Sequence, residues 1–208
     1  MYLEGHMEHR NTQQQIFDAA VDLFHRKGFA GTSIREIARR VGIKESSIYN
    51  HFKNKEDIFD RILDDFKQSL VSIRPLDSEL VNLIEVISPA EMIKLTFLNY
   101  VKNEDRKYDK IAKIIFMEQY INERAGNFFI KYMVEEPLEY YKKVFSMMVA
   151  ANKIRDADYT SAVEELHYGF LGLMMEYVHI KIEGQYDKEM MQKMVRHVDF
   201  VFKNIEIK

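Results

Sequence analysis

The sequence predicts an all-α protein, with a small N-terminal unit of three helices joined by a fourth helix to a larger helical body. Glycine and proline are scarce, at 8 and 3 of 208 residues. Almost every periodic stretch spaces its apolar residues as a helix does, and no strand pattern or repeat stands out. Apolar residues make up 47% of the chain, which is enough for a sizeable core.

The composition excludes several classes of protein. The chain has no cysteine, which rules out disulfides, zinc–thiolate sites and cysteine catalysis. No apolar run approaches the roughly 20 residues that span a bilayer, and the start MYLEGHMEHR has no apolar signal core. We therefore expect a cytoplasmic protein. Residues 1–10 are expected to be flexible or in part a cloning remnant, because they contain GHM.

Local signals divide the N-terminal unit into helices. The first helix carries apolar residues at i, i+3, i+4, i+7 and i+8, and Gly28 ends it as a left-handed cap. Ser33 and Glu36 form a capping box that opens the second helix, and Gly42 ends that helix. Asn54 can cap the next helix, which runs from 55 to about 70.

The body contains five longer helical patterns. Proline 137 lies inside the third, where we expect a kink or break. The predicted helices cover residues 89–102, 107–121, 125–151, 159–182 and 188–205.

A short polar segment follows the second helix. Residues 42–59 read GIKESSIYNHFKNKEDIF, and Ile48, Tyr49 and Phe52 are predicted to form its inner face. A helix, a glycine turn and a short second helix make a helix-turn-helix, whose recognition helix docks by a thin apolar face and offers polar groups to DNA. The alternative is a polar helix that only shields a core.

The charge distribution supports a polyanionic partner. Residues 23–55 contain eight Lys or Arg and only two acids, whereas the remaining chain has 22 basic and 31 acidic residues. A basic module on an acidic body suggests that one end binds a polyanion. A solvated basic face is the alternative.

Residues 17–59 resemble the N-terminal domain of TetR/AcrR-type transcriptional regulators. The resemblance rests on an alanine-rich first helix, a K-G-F turn, Thr-Ser before the second helix, the turn A-x-x-x-G-I and the motif I-Y-x-H-F-x-x-K-E. It covers about a fifth of the chain, and the remainder matches only in layout. It implies a DNA-binding domain over residues 1–55 and an effector-binding and dimerisation domain over residues 56–208.

The resemblance implies specific DNA contacts. Thr32 and Ser33 would meet a phosphate, while Glu45, Ser46, Ser47 and Asn50 would face bases. Glu45 could accept from a cytosine amino group, or it could pair with Lys44 or Arg40. The predicted DNA-binding residues are Thr32, Ser33, Lys44, Glu45, Ser46, Ser47, Tyr49, Asn50, His51, Lys53 and Lys55.

The last two helices carry apolar seams with alternating steps of three and four, the spacing of paired helices. The resemblance implies that both helices pair with their copies in a dimeric four-helix bundle. The alternative is that both seams face the core of the single chain. The predicted interface comprises Leu166, Gly169, Phe170, Leu173, Tyr177, Met194, Val198, Val201 and Ile205.

The middle of the chain is rich in Met, Phe and Tyr, which could line an adaptable pocket for a small apolar or aromatic molecule. More often such residues are simply core. Tyr168, Asn99 and Glu118 could add polar selectivity if they converge with His167. The predicted lining residues are Met92, Tyr100, Phe116, Tyr120, Tyr132, Phe145, Met148, His167 and Phe170.

We therefore expect a homodimeric repressor that a small ligand releases from a palindromic operator by tilting the helix over 55–70. The alternative is a DNA-binding regulator controlled by a protein partner. An enzyme is not expected, and neither is a metal or cofactor. Two Glu-x-x-His pairs, Glu164/His167 and Glu176/His179, lie twelve residues apart on one helix. That is about 18 Å, which is too far for one dinuclear site.

Overall fold

The computed structural model describes residues 11–101, 106–156, 159–182 and 188–207. The predicted all-α fold is confirmed, and none of its helices in this part of the chain has the length and apolarity to cross a membrane. The helices are α1 Thr12–Lys27, α2 Ile34–Val41, α3 Glu45–Ile48, α4 Lys55–Ser72, α5 Asp77–Val86, α6 Pro89–Val101, α7 Arg106–Glu118, α8 Glu123–Phe128, α9 Glu136–Ala150, α10 Tyr159–Ile182 and α11 Lys188–Lys203.

The chain forms two compact units, Met1–Asp64 and Asp65–Lys208. The division therefore falls inside α4, nine residues beyond the predicted boundary. The first half of α4 belongs to the first unit because the ring of Phe59 packs against those of Phe24 and Phe29, at 5.8 and 4.9 Å. The functions assigned to the two parts from sequence remain predictions.

The predicted helix ends of the first unit are largely correct. The Ser33 hydroxyl accepts from the Glu36 N–H, and the Glu36 carboxylate accepts from the Ser33 N–H, which completes the capping box. The Asn54 side chain accepts from the Asp57 N–H at 2.7 Å. Gly42 has the left-handed conformation (φ 80°, ψ 27°). Gly28 does not, because its φ of 74° is combined with a ψ of 170°.

In the second unit, α10 packs against α7, α9 and α11, and α11 also packs against α6. These helices correspond to the predicted ones, and α10 has the predicted bounds. Helix α5 was not predicted from the sequence. It buries Leu80 and Ile84 but exposes Val81 and Val86, so its apolar residues do not form one clear stripe.

The predicted kink or break around Pro137 is a local change of helix type. A π-helical stretch, Phe129–Glu135, connects α8 to α9 without a break, and the Glu136 N–H donates to the Lys131 carbonyl. Proline 137 stands in the first turn of α9. It has no N–H to donate to the carbonyl of Met133, four residues earlier.

Candidate DNA-binding surface and ligand cavity

The short helix α3 docks on the first unit by two apolar side chains. Ile48 and Phe52 are buried, as predicted. Tyr49 was predicted on the same inner face, but it is 53% exposed. Successive helical residues lie about 100° apart, so a neighbour of a fully buried residue on so short a helix turns outward. The tyrosine therefore belongs to the solvent face.

That solvent face is polar. It holds most of the predicted DNA-binding residues, and two more, Ser47 and His51, lie partly exposed at its edge. Groups of this size and polarity suit contacts with base edges and phosphates. The exposed members are Lys44, Glu45, Ser46, Tyr49, Asn50 and Lys53.

The two residues before α2 differ in what they expose. Thr32 is only 2% exposed, and its hydroxyl donates to the Gly28 carbonyl at 3.0 Å. The predicted phosphate contact by its side chain is therefore wrong, because that hydroxyl is used inside the turn. Ser33 is exposed beside it and caps α2.

Two basic residues of the first unit form ion pairs with acidic residues of the same unit. The Lys27 ammonium donates to the Glu36 carboxylate at 2.6 Å, and this bond, with the Ser33 N–H, lowers the pKa of Glu36 to about 2. The Arg40 guanidinium pairs with Asp22 at 3.2 Å. One interpretation of the sequence paired Arg40 with Glu45, but the structure pairs Arg40 with Asp22 instead. The proposed contact of Glu45 with a base stays a prediction.

Lys55 has a structural position that the sequence did not indicate. Its ammonium donates to the carbonyls of Phe29 and Thr32 at 2.8 and 2.9 Å, and it lies 4.2 Å from the centre of the Phe29 ring. The side chain therefore ties the start of α4 to the turn between α1 and α2. The structure gives this ammonium two carbonyl partners, and the phosphate contact of Lys55 stays a prediction.

We expect Lys55→Met to destabilise the protein by about 1–3 kcal/mol, because two charge-assisted hydrogen bonds are lost. Lys53→Met is the matched control. Lys53 is exposed, so its loss should change stability by less than about 0.5 kcal/mol. It should instead reduce the salt slope of DNA binding by about one unit. Urea unfolding followed by circular dichroism and DNA titrations at several salt concentrations measure both effects. Equal stability of the two variants would contradict this role of Lys55.

The second unit contains an apolar cavity of about 120 Å³. Three of the nine predicted ligand residues line it, namely Tyr132, His167 and Phe170. The remaining wall is formed by Leu70, Ile73, Arg74, Thr96, Phe97, Met133, Pro137, Tyr141, Leu171 and Met174.

Five of the other predicted lining residues are not part of this wall. Phe145 and Met148 are fully buried in the core. Phe116 is half-buried against the Phe129 ring, and Tyr120 is almost fully exposed after α7. Met92 borders an adjoining groove, which shares Ile73, Arg74 and Thr96 with the cavity wall. A run of Met and aromatic residues does not distinguish core from cavity wall, which is why these predictions fail.

The side chain of Tyr100 lies outside the described residues. Among the predicted polar selectors, only His167 reaches the cavity. Tyr168 is exposed, Asn99 borders the adjoining groove and Glu118 is buried elsewhere. The predicted convergence of these four residues is therefore not found.

Burial favours the neutral form of two titratable side chains in the cavity wall, His167 and Tyr141. Burial lowers the pKa of His167 below its usual value, and the charge of Arg74 lowers it further, against an opposing hydrogen bond to the Met133 backbone. Burial raises the pKa of Tyr141 to about 12. At neutral pH the cavity therefore presents an uncharged imidazole and an uncharged phenol beside one guanidinium.

The seams of α10 and α11 face each other within the single chain. The two helices run antiparallel, since the His197 Nε2 donates to the Leu166 carbonyl at 3.1 Å and Lys193 pairs with Glu176 at 2.6 Å. A Cβ added at Gly169 would lie 2.2 Å from the His197 ring. Within the single chain the two helices pair along these seams, as the alternative interpretation has it, and their pairing with a second copy stays a prediction. The chain itself already buries the predicted interface residues Leu166, Phe170, Tyr177, Met194, Val198, Val201 and Ile205.

The two residues of the first Glu-x-x-His pair differ in exposure. Glu164 is exposed whereas His167 is buried. Within the described ranges, no three His, Asp or Glu side chains are grouped so that they could hold a metal ion.

A capped helix, a left-handed glycine turn and a short helix with an exposed polar face define a helix-turn-helix DNA-binding domain. Comparison with known proteins agrees. The family described as "Bacterial regulatory proteins, tetR family" matches residues 16–62. The match covers the helix-turn-helix unit of this chain and does not extend to its second unit.

Two curated relatives match the same region. The regulator AcrR of Shigella flexneri is 44% identical over 55 residues, which cover 26% of this chain and 26% of AcrR. The biofilm operon negative regulator IcaR of Staphylococcus epidermidis is 43% identical over 47 residues, or 23% of this chain and 25% of IcaR. The chain thus spans about a quarter of the length of these relatives.

Solved structures match the whole fold. The SmeT–triclosan complex has a TM-score of 0.72 and 19% identity, with 96% of this chain and 93% of SmeT covered. SmeT is the repressor of a multidrug efflux pump of Stenotrophomonas maltophilia. This likeness shows that both units share the fold of that protein.

Proposed function

We propose that the protein is a homodimeric, sequence-specific repressor of transcription that leaves a palindromic operator when a small apolar or aromatic molecule binds its second unit. The observation that carries this proposal is the segment of α3 and the turn after it, which buries Ile48 and Phe52 while it exposes Tyr49 and Asn50. Burying only two side chains leaves the other face of a recognition helix available to a major groove.

Repression rather than activation is supported by the similar proteins. IcaR is described as a negative transcriptional regulator and SmeT as a repressor. Neither similarity identifies the operator or the genes that this protein would regulate.

The proposed dimer uses a surface other than the buried seams. Tyr168, Gly172 and Met175 follow one another at steps of four and three along α10, and all three are exposed. Phe200 is exposed on α11. Large exposed apolar side chains on paired helices mark an interaction surface, and a second copy would cover them. Two recognition helices about 34 Å apart could then enter successive major grooves.

The proposed effector site is the apolar cavity. Leu70 lies in its wall and belongs to α4, the helix that begins at Lys55. We propose that an occupied cavity favours a position of α4 that changes the spacing of the two recognition helices in the dimer. The ligand must bind that state more tightly by its own contacts, because a ligand with equal affinity for both states shifts neither.

Transcription in vitro from a promoter that the protein binds tests this function. The purified protein should block transcripts from that promoter, and a ligand that binds the cavity should restore them. An Asn50→Ala protein should block less at the same concentration. Transcripts that increase when the protein is added would contradict repression. Relief by a protein partner, with no response to any cavity ligand, would favour the second candidate, a regulator without a small-molecule effector.

A further inference from the structure

One side chain in the cavity wall is buried with an unused hydrogen-bonding atom. His167 is 6% exposed, and its Nε2 has no hydrogen-bond partner among the residues that the structure describes. The same ring bonds to the backbone of Met133. Because Nε2 has no partner, that bond uses Nδ1. A buried polar atom without a partner is uncommon and costly, so it requires an explanation.

The bond to Met133 fixes the orientation of the imidazole. The Met133 carbonyl is an acceptor that Pro137, without an N–H, cannot engage. The Nδ1–H of His167 donates to it, and the neutral ring then presents a lone pair at Nε2. Burial and the charge of Arg74 lower the pKa of His167, so this neutral form persists at pH 7. The cavity therefore contains an acceptor in need of a donor.

Arg74 provides a hydrogen-bond donor on the same cavity wall. A guanidinium is a donor only. Its central carbon lies 4.8 Å from the centre of the Tyr140 ring, which holds the side chain beside the cavity. One hydroxyl can donate to His167 and accept from Arg74 at the same time. A bare hydrocarbon does neither, and a carboxylate cannot donate to Nε2.

The size and the rest of the wall suit one aromatic ring. Phe97 and Phe170 stack at 5.1 Å with an angle of 14° between their planes, and Leu171 and Met174 add apolar surface. The volume is about 120 Å³. An apolar cavity of about 150 Å³ is known to hold benzene, so a single ring approaches the limit of this conformation.

We propose that the effector is a single-ring aromatic alcohol, a phenol, whose hydroxyl donates to the Nε2 of His167 and accepts from the guanidinium of Arg74. This inference rests on the proposed function, because it names the ligand class of the same effector cavity. The apolar wall binds the ring. The His167/Arg74 pair selects the hydroxyl.

Three probes separate these contributions: phenol, benzene and benzoate. Their affinities for the full-length protein at pH 7.5 are measured by isothermal titration calorimetry and by the shift in melting temperature. We expect phenol to bind at least about tenfold more tightly than benzene, since one hydrogen bond to an otherwise unpaired buried acceptor is gained. Benzoate should bind more weakly than phenol, because the neutral imidazole offers its carboxylate no donor.

His167→Asn is the informative variant. The asparagine amide can still donate to Met133 from the position of Nδ1, but nothing replaces Nε2. Its preference for phenol over benzene should vanish, while its affinity for benzene should change less than about twofold. His179→Asn, at an exposed histidine of the same helix, is the matched control and should keep the preference. If His167→Asn fails to fold, Arg74→Gln provides a second test, with the preference reduced.

The outcomes distinguish this inference from the proposed function. Equal affinity for phenol and benzene in the wild type overturns hydroxyl recognition but leaves an apolar effector cavity. Tightest binding of benzoate replaces the phenol by an anion. A His167→Asn protein that keeps its preference overturns the role of Nε2. Absence of binding by all three probes overturns both the phenol and the effector function of this cavity.

Discussion

Val198→Glu is expected to unfold the second unit rather than release folded monomers. Val198 is 1% exposed inside the single chain, in the row where α11 faces α10. A glutamate there would bury a charge without a partner, at a cost of several kcal/mol, which is a large part of the stability of most domains. Circular dichroism during thermal unfolding should show the loss of the cooperative helical transition.

Phe200→Glu is the matched control, two residues further along the same helix. Phe200 is 66% exposed, so a charge there meets water and the fold should persist. The proposed dimer should dissociate, which light scattering after size-exclusion chromatography would show as a halved mass. A folded, monomeric Val198→Glu protein would make the buried seam the intersubunit surface after all. An unchanged dimer mass for Phe200→Glu would remove this residue from the interface.

Asn50→Ala is expected to relax the preference of the protein at one base pair of its operator. Asn50 is exposed in the turn just after α3, and a side-chain amide can form two hydrogen bonds with adenine. The loss should be roughly 1–3 kcal/mol for the preferred base and small for the others. Fluorescence anisotropy on operators with each base at that position, at one salt concentration, measures it.

Two further variants serve as controls for the effect of Asn50→Ala. Tyr49→Phe removes only a hydroxyl, which we expect on a phosphate, so affinity should fall by a similar factor for every operator. Asn204→Ala changes an exposed asparagine outside the first unit and should have no effect. A uniform loss for Asn50→Ala would mean that its side chain positions the backbone and reads no base.

Most of the fold could be predicted from local sequence signals. The capping box at Ser33 and the two docking residues of α3 follow from neighbours in sequence, and the structure has them as predicted. The partner that the apolar seams of α10 and α11 face could not be predicted from local sequence. Steps of three and four occur wherever helices pair, whether the partner is the same chain or another copy.

The candidate sites depended more on tertiary contacts. Lys55 bonds to carbonyls that lie 26 and 23 residues earlier in the chain, so no local pattern indicated its direction. Arg74 was missed because it lies between α4 and α5, outside every periodic stretch. His167 was predicted from the sequence as a cavity residue. Its Nε2 is unused because the ring bonds to the backbone of Met133 instead, and a contact with another helix leaves no local pattern.

Selection of genomic fragments with the purified full-length protein tests the central claim that α3 binds a specific operator. Bound fragments are recovered at moderate salt, sequenced and searched for a shared motif. The expected result is a palindrome near a promoter, with half-sites whose centres lie about one helical turn, or roughly 34 Å, apart. No enrichment at low salt, with protein that is folded, dimeric and free of ligand, would contradict a DNA-binding role for this surface.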